Sequence, residues 1–504
     1  MLRRDAEATQ RTFADDTRAM HAIPTEHRLL QMRRAIDWAA VETELAAYYD
    51  AEMGRPSCPP AVLLRMLILE QYAALSDREV HEQVGYNLLY RAFVGLGVDE
   101  PVPDDTTLVR FRARVGEEGI RTVFDALNQQ WAAAGLIGAE RRVLDGVHLW
   151  AKVARQSWVG LLRKGRRVII EAIAAVDAAR AEALRAEFGP APDEPEPRDD
   201  GALPRESERT AALVAAVAAV PDPGVQTRVA QVQTLLRGDG DRVVSFDDPD
   251  ARWGYKAADK PFLGYKAHES LDPDSRLITG VDVVPGNANE AVRTDAVLAT
   301  EPTPRTPGAV IIGDGLYHNA TTIAQVEAAQ GRPCFSGLRA ERVSDAFTYD
   351  AGADQMVCAD GKRSVGKVRM GAVGRGHLGA GDLYYFSMRD CVPCPRAATC
   401  LTRGEREGRA EPRRRVYLSD VRKARVVAGE AGRAWRQAHA KLRPRIEAKF
   451  DEQMNRHGLR HARYWGLAKV TGQVLLNALT VNAKRAVKLL ARRVPPPDPV
   501  PSLA

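Results

Sequence analysis

Apolar residues recur at helical spacing through roughly the first 138 positions, give way to short β-branched runs, and return to helical spacing after position 424. In the first block, PPAVLLRMLILEQYAAL (59–75) starts with two prolines and runs apolar. SDREVHEQVGYNLLYRAFVGLG (76–97) follows, with Ser76 placed as an N-cap and Glu79 three residues on, the capping-box spacing. PVPDDTTLVRFRARVGEEGI (101–120) starts a further helix near Asp105 and Thr106. Several helices joined by tight turns predict an all-α domain over 1–138 for DNA binding or dimerisation.

The period changes at RVLDGVHLW, a strand predicted within 139–152. Two Ala-rich amphipathic helices, 158–188 and 206–237, then interrupt the sheet. The Pro- and acid-rich APDEPEPRDDGALPRES (191–207) between them need not be ordered. KPFLGYKAHESLDPDSRLITGVDVVPGN reads as a hairpin turning at DPDS. A helix at 288–300, the strand of AVIIGDGLYHN, the helix NATTIAQVEAAQ and the strand RPCFSGLR complete a mixed α/β pattern with both sheet faces covered. The expected organisation is therefore a first catalytic part at 139–340 with a helical insertion near 155–240. An irregular, β-leaning Cys-bearing insertion spans 341–424, helices span 425–492, and a Pro-rich tail spans 493–504.

Length adds that 504 residues make about two to four domains. No run of 18 apolar residues occurs, and the first residues have no apolar signal core, so a cytoplasmic protein without membrane association is expected. A net charge of +6 permits a nucleic-acid partner. Its distribution says more: RKGRR at 163–167, EPRRRVYLSDVRKAR at 411–425 and RHGLRHARYWGLAK at 456–469 are basic runs, two of them close in sequence to Glu447.

Three acidic residues carry the candidate chemistry. Asp145 sits inside an apolar strand flanked by Val143, Leu144, Val147 and Leu149, where an unpaired ionised carboxylate is costly. Asp314 ends a second buried strand, although strand–Asp–Gly is also an ordinary turn signal. Glu447 lies in a helix entered through Pro444, beside a stripe of Ile446, Phe450 and Met454. Two carboxylates on strands and a third on a later helix suit two Mg²⁺ or Mn²⁺ ions working on a phosphodiester. Among the cysteines, Cys391 and Cys394 form a metal knuckle. With Cys358 and Cys400 they supply four thiolates for structural zinc, or for an iron–sulfur cluster. Cys58 and Cys334 stand in apolar contexts and read as core. Arg460, Arg463 and Lys469 are candidate phosphate contacts. Tyr464 and Trp465 read as packing residues rather than base-stacking ones, and Lys266 and His268 share one side of a hairpin strand.

PPAVLLRMLIL, DTTLVRFR, DPDARWGYKAADKPFLGYKAHESLDPDSRLITGVDVVPGNANE, the GD of IIGDGLYHN, CVPCPRAATC, and RPRIEAKF…HGLRHARYWGLAKV…NALTVNAKRAVKLL occur in this order over most of the chain. As an ordered set they resemble the DDE transposases of bacterial insertion sequences, in the branch with an N-terminal helical domain. The resemblance implies a ribonuclease-H-like mixed sheet flanked by helices, with Asp145, Asp314 and Glu447 as the metal-binding catalytic triad. It implies an enzyme that binds terminal inverted repeats in double-stranded DNA as a homodimer, cuts at the element's ends and joins the 3′ ends to target DNA. Relatives also carry a Tyr and an Arg before the Glu and a Lys after it. Here those positions hold Ala440, Arg443 and Met454, so Arg443 is kept and Lys449, Arg456 or Arg460 would have to stand in for the Lys. A non-mobile metal-dependent nuclease and a catalytically inactive DNA-binding descendant are the alternatives.

Overall fold

The computed structural model describes residues 23–50, 57–189, 196, 199–238, 242–257, 259–335, 346–371, 380–406 and 413–493. The Pro-rich tail, apart from Arg493, and much of the acidic linker lie outside these residues.

The chain opens with helices α1 (Arg28–Arg34), α2 (Trp38–Ala46), α3 (Pro60–Ala73), α4 (Asp77–Tyr86), α5 (Leu88–Val94) and α6 (Asp105–Ala133). The Ser76 and Glu79 capping box is formed in both directions at the start of α4, and Asp104 caps α6. Strand β1 (Arg141–Trp150) follows. The insertion then holds four helices where the spacing predicted two: α7 (Trp158–Ala174), α8 (Ala178–Phe188), α9 (Ala202–Val217) and α10 (Pro223–Arg237). Asp177 and Asp222 cap α8 and α10 and supply the extra breaks.

The sheet continues with β2 (Arg252–Ala257), β3 (Lys260–Asp272) and β4 (Leu277–Pro285), then helix α11 (Thr294–Ala299), β5 (Val310–Gly313), α12 (Ala320–Ala328) and β6 (Arg332–Phe335). Strand β3 pairs antiparallel with β1, β2 and β4, while β1, β5 and β6 run parallel. β2 was not apparent in the sequence, being short and containing Gly254. That glycine is required, because a Cβ there would lie 2.1 Å from the Gly286 carbonyl oxygen.

Two small sheets form the Cys-bearing region: β7 (Phe347–Asp350) with β8 (Gln355–Cys358), and β9 (Gly366–Met370) with β10 (Gly381–Ser387) and β11 (Arg413–Ser419). Short helices α13 (Met388–Cys391), α14 (Ala397–Cys400) and α15 (Arg403–Arg406) lie between β10 and β11. Helices α16 (Asp420–Ala440), α17 (Pro444–Arg456) and α18 (Leu467–Ala491) close the chain.

Alternation sorts the sheet's side chains into two cores. Val143, Val147, Leu149, Tyr265, Ala267 and Ile312 pack with the N-terminal helices, α17 and α18 in the largest core. Leu144, Ile311, Tyr317 and Val326 form a smaller one on the opposite face. The helical insertion and the Cys-bearing region each have a separate core, so both are attached to the central body rather than woven through it. Helix α18 is buried on most of its surface, and Asn482 closes both backbone groups of Ile278. Its Oδ1 accepts from that N–H at 2.8 Å, and its Nδ2 donates to that carbonyl at 2.7 Å.

Candidate active site

In the parallel β1–β5 ladder Val143 pairs with Ile312. Asp145 and Asp314 each lie two residues beyond that pair, so both reach the same level of the sheet, on the face that carries the main core. Asp145 is inside β1, whereas Asp314 follows the last residue of β5 and accepts a hydrogen bond from the Leu316 N–H at 2.7 Å. The turn role that Asp–Gly suggested is therefore real, and it holds the Asp314 carboxylate beside β1.

Helix α17 lies over this face through Ile446 and Phe450, which are buried in the main core. Glu447 is in its first turn, on the exposed flank. Arg443, one turn earlier, donates to Glu447 at 2.9 Å and stands 3.9 Å from Asp145, bridging helix and strand. Burial pushes the Asp145 carboxyl up to about 6. The Gly146 N–H and Arg443 oppose the rise, while the charges of Asp314 and Glu447 add to it. These oxygen-only donors match the chemistry of a hard divalent cation. Among the described residues, though, no group of three or more His, Cys, Asp or Glu side chains is gathered as a ready metal site. The Arg443 guanidinium occupies the interval between Asp145 and Glu447.

The same finding applies to the cysteines. Cys358, Cys391, Cys394 and Cys400 line one cavity of about 30 Å³ beside Phe347 and Phe386, yet they are free thiols not drawn together as ligands. Burial, followed by the nearness of the other three thiols, pushes Cys391 up to about 11. Cys334 is buried in the main core, as its context predicted.

The remaining candidates separate. Arg460 is exposed and donates to Asn455 at 2.8 Å, and Lys469 is exposed on the first turn of α18. Arg463 is half-buried and donates to Glu70 of α3 at 2.7 Å, which makes it a tie to the N-terminal helices. Tyr464 lies under Arg112, whereas Trp465 is largely exposed and donates to the Lys152 carbonyl at 3.1 Å. His268 is fully buried on the sheet face opposite Asp145, with its ring 5.6 Å from Tyr317. Lys449 is buried against Glu452 at 3.0 Å, and Met454 packs against the main core, so neither replaces the relatives' Lys beside Glu447. Two residues that sequence reasoning missed are Glu269 and Gln453. Gln453 of α17 donates to Glu269 of β3 at 2.9 Å, and both are fully buried.

Residues 17–114 match a transposase domain family, DUF772, and residues 357–487 match the transposase DDE domain. Together these matches support a DDE transposase of an insertion sequence. The DDE match includes Glu447, Arg443 and the four cysteines of the shared cavity. Asp145 and Asp314 lie outside both matches. No solved structure matches the chain. As a DDE transposase it is an enzyme that depends on a divalent metal and acts on DNA. Among its described residues no helix is long and apolar enough to cross a membrane.

Proposed function

We propose that this transposase binds the terminal inverted repeats of its own element as a homodimer, cuts the DNA at the element's ends and joins the freed 3′ ends to target DNA, with Asp145, Asp314 and Glu447 as its acidic triad. The observation that carries this reading is the shared level of Asp145 and Asp314 on adjacent parallel strands, with Glu447 brought over the same face by α17. An antiparallel β4–β3–β1 run continued by parallel β5 and β6 also supports a ribonuclease-H-like sheet.

In this reading Asp145, Asp314 and Glu447 would hold two Mg²⁺ or Mn²⁺ ions, which would supply Lewis acidity to the attacking water and the leaving oxygen. The chain's own groups prepare that site. Burial raises the Asp145 carboxyl to about 6, so below that pH it would have to release a proton to take a cation. Arg443 holds Glu447 towards the sheet, and with a cation on the carboxylates its guanidinium would be available to a phosphate. We also read residues 341–424 as a module of their own, supported by their separate core, in which the four thiols would hold zinc.

The test is strand cleavage on DNA carrying the gene's own flanking ends, with Mg²⁺ or Mn²⁺. Wild type is expected to cut at the repeat ends. Asp145→Ala, Asp314→Ala and Glu447→Ala are expected to bind the same DNA with cleavage lost. Cleavage without joining supports the nuclease alternative, and binding without cleavage by wild type supports the inactive descendant.

A further inference from the structure

The two flanks of α17 differ in charge. One carries Glu447 and Arg443. The other carries Arg445, Ala448, Lys449 and Glu452, and it lines a pocket of about 150 Å³ closed by the β3–β4 turn and by α18. Six cationic side chains line this pocket: Arg276, Arg445, Lys449, Lys484, Arg485 and Lys488. Its volume is about five times the ~30 Å³ that one water occupies in the liquid.

Carboxylates do not balance these charges. Glu452 accepts from Lys449 at 3.0 Å and from Lys484 at 2.7 Å. Arg445 stands 3.2 Å from Asp274, which also pairs with Arg141 at 2.7 Å. Arg485 donates its Nε to the Ser275 carbonyl. Arg276 and Lys488, both exposed, have no carboxylate partner among the described residues. Two acids thus face six cations, and Lys449 and Lys484 are largely buried there. Like charges held so close repel one another unless an anion joins them. Burial, followed by the charges of Arg276 and Arg492, lowers the pKa of Arg485.

Arg276 has a φ of 61° where it closes the β3–β4 turn, its N–H donating to the Asp272 carbonyl at 2.8 Å, and glycine would fit there without strain. The lining contains no aromatic ring, so it has no platform for a base.

We propose that this pocket binds a phosphate of the DNA backbone, across α17 from the acidic triad. At about 100° per residue, Arg445, Ala448, Lys449 and Glu452 form a stripe on the far side of the helix from Glu447, so the two sites lie about one helix diameter, ~10 Å, apart. The pocket therefore grips a phosphate other than the one being cut and fixes where the duplex crosses α17. This inference rests on the transposase reading, because it supplies an anchor for the same DNA.

The test uses the full chain and a long mixed-sequence duplex, with binding followed by fluorescence anisotropy across a salt series. Arg276→Gly/Lys488→Gln is compared with Arg180→Gln/Arg185→Gln, which removes the same charge from the exposed surface of α8. The pocket variant is expected to bind severalfold more weakly, with the slope of log affinity against log salt shallower by about one. The α8 variant is expected to match wild type. Because glycine relieves the strain at position 276, the pocket variant should melt no lower than wild type, which separates lost binding from lost folding. Lys488→Arg should keep wild-type affinity. An unchanged slope in the pocket variant overturns the inference, and so does an equal loss in the α8 variant. If wild type binds no duplex at all, the proposed function falls with it.

Discussion

Asp145 and Glu269 face each other across the antiparallel β1–β3 ladder. They share one sheet face but differ in surroundings: Asp145 opens towards α17's exposed flank, whereas Glu269 is sealed beneath it by Gln453. The hydrogen bond therefore links the strand partner of Asp145 to the helix that carries Glu447, two members of the proposed triad. Gln453→Ala leaves the Glu269 carboxyl buried without its donor and should cost about 1–3 kcal/mol of stability, read by chemical denaturation. Cleavage should fall more than DNA affinity, because the change loosens α17 over Asp145 and leaves the basic surfaces intact. Equal losses in both would show that the bond does nothing for the site.

Metal affinity should depend on the Asp145 proton. Its folded pKa, about 6, lies above the ordinary carboxylate value, so metal-free protein loses stability as pH rises from about 4 to 6. A cation needs the ionised form. Mn²⁺ affinity measured by calorimetry should therefore rise with pH up to about 6 and level off above it, with about one proton released per chain in the lower range. Asp145→Asn should abolish that proton release.

At the base of β1, Arg142 and Glu301 form a buried ion pair at 3.0 Å, and Thr279 donates to the same carboxylate at 2.8 Å. Glu301→Ala leaves a buried guanidinium without its counter-charge and should destabilise the protein by roughly 3–5 kcal/mol in urea melts. Arg142→Met combined with Glu301→Leu should recover much of that loss. If the double variant is as unstable as the single one, the neighbouring hydroxyl bonds matter more than the charges.

For the thiol cavity, purified protein should contain one zinc per chain, and Cys394→Ser or Cys400→Ser should remove it. A strong chelator should increase proteolysis within residues 341–424 while leaving the main core folded. Iron with a visible absorption band would indicate a cluster instead, and wild type free of both metals would remove the metal role.

Features set by local spacing were legible in the sequence: the Ser76–Glu79 box, the hairpin around DPDS, Asp145 within a strand, and the long helix after residue 466. What was hidden depends on partners far apart in the chain. Nothing near Arg463 indicates that its charge is committed to Glu70. Lys449 reads as a stand-in for the relatives' Lys after Glu447 until α17 is docked and turns it towards Glu452. From local settings Asp145 and Glu447 could be picked out as candidates, and Asp314 only with the help of the resemblance. The interposed Arg443 and the sealed Glu269–Gln453 bond could not, since each needs the sheet and helix already assembled.

The main core draws on residues from Leu29 to Val487, and α18 fills its centre against the N-terminal helices and β4. During translation every triad carboxylate leaves the ribosome before α18 does. Until that helix emerges, Ile278 lacks the Asn482 side chain and the apolar faces of the early helices have no partner. A message broken between codons 447 and 467 therefore yields a chain with all three carboxylates and no closed body to align them. In the proposed reading DNA cutting therefore waits on α18, whose residues complete the main core.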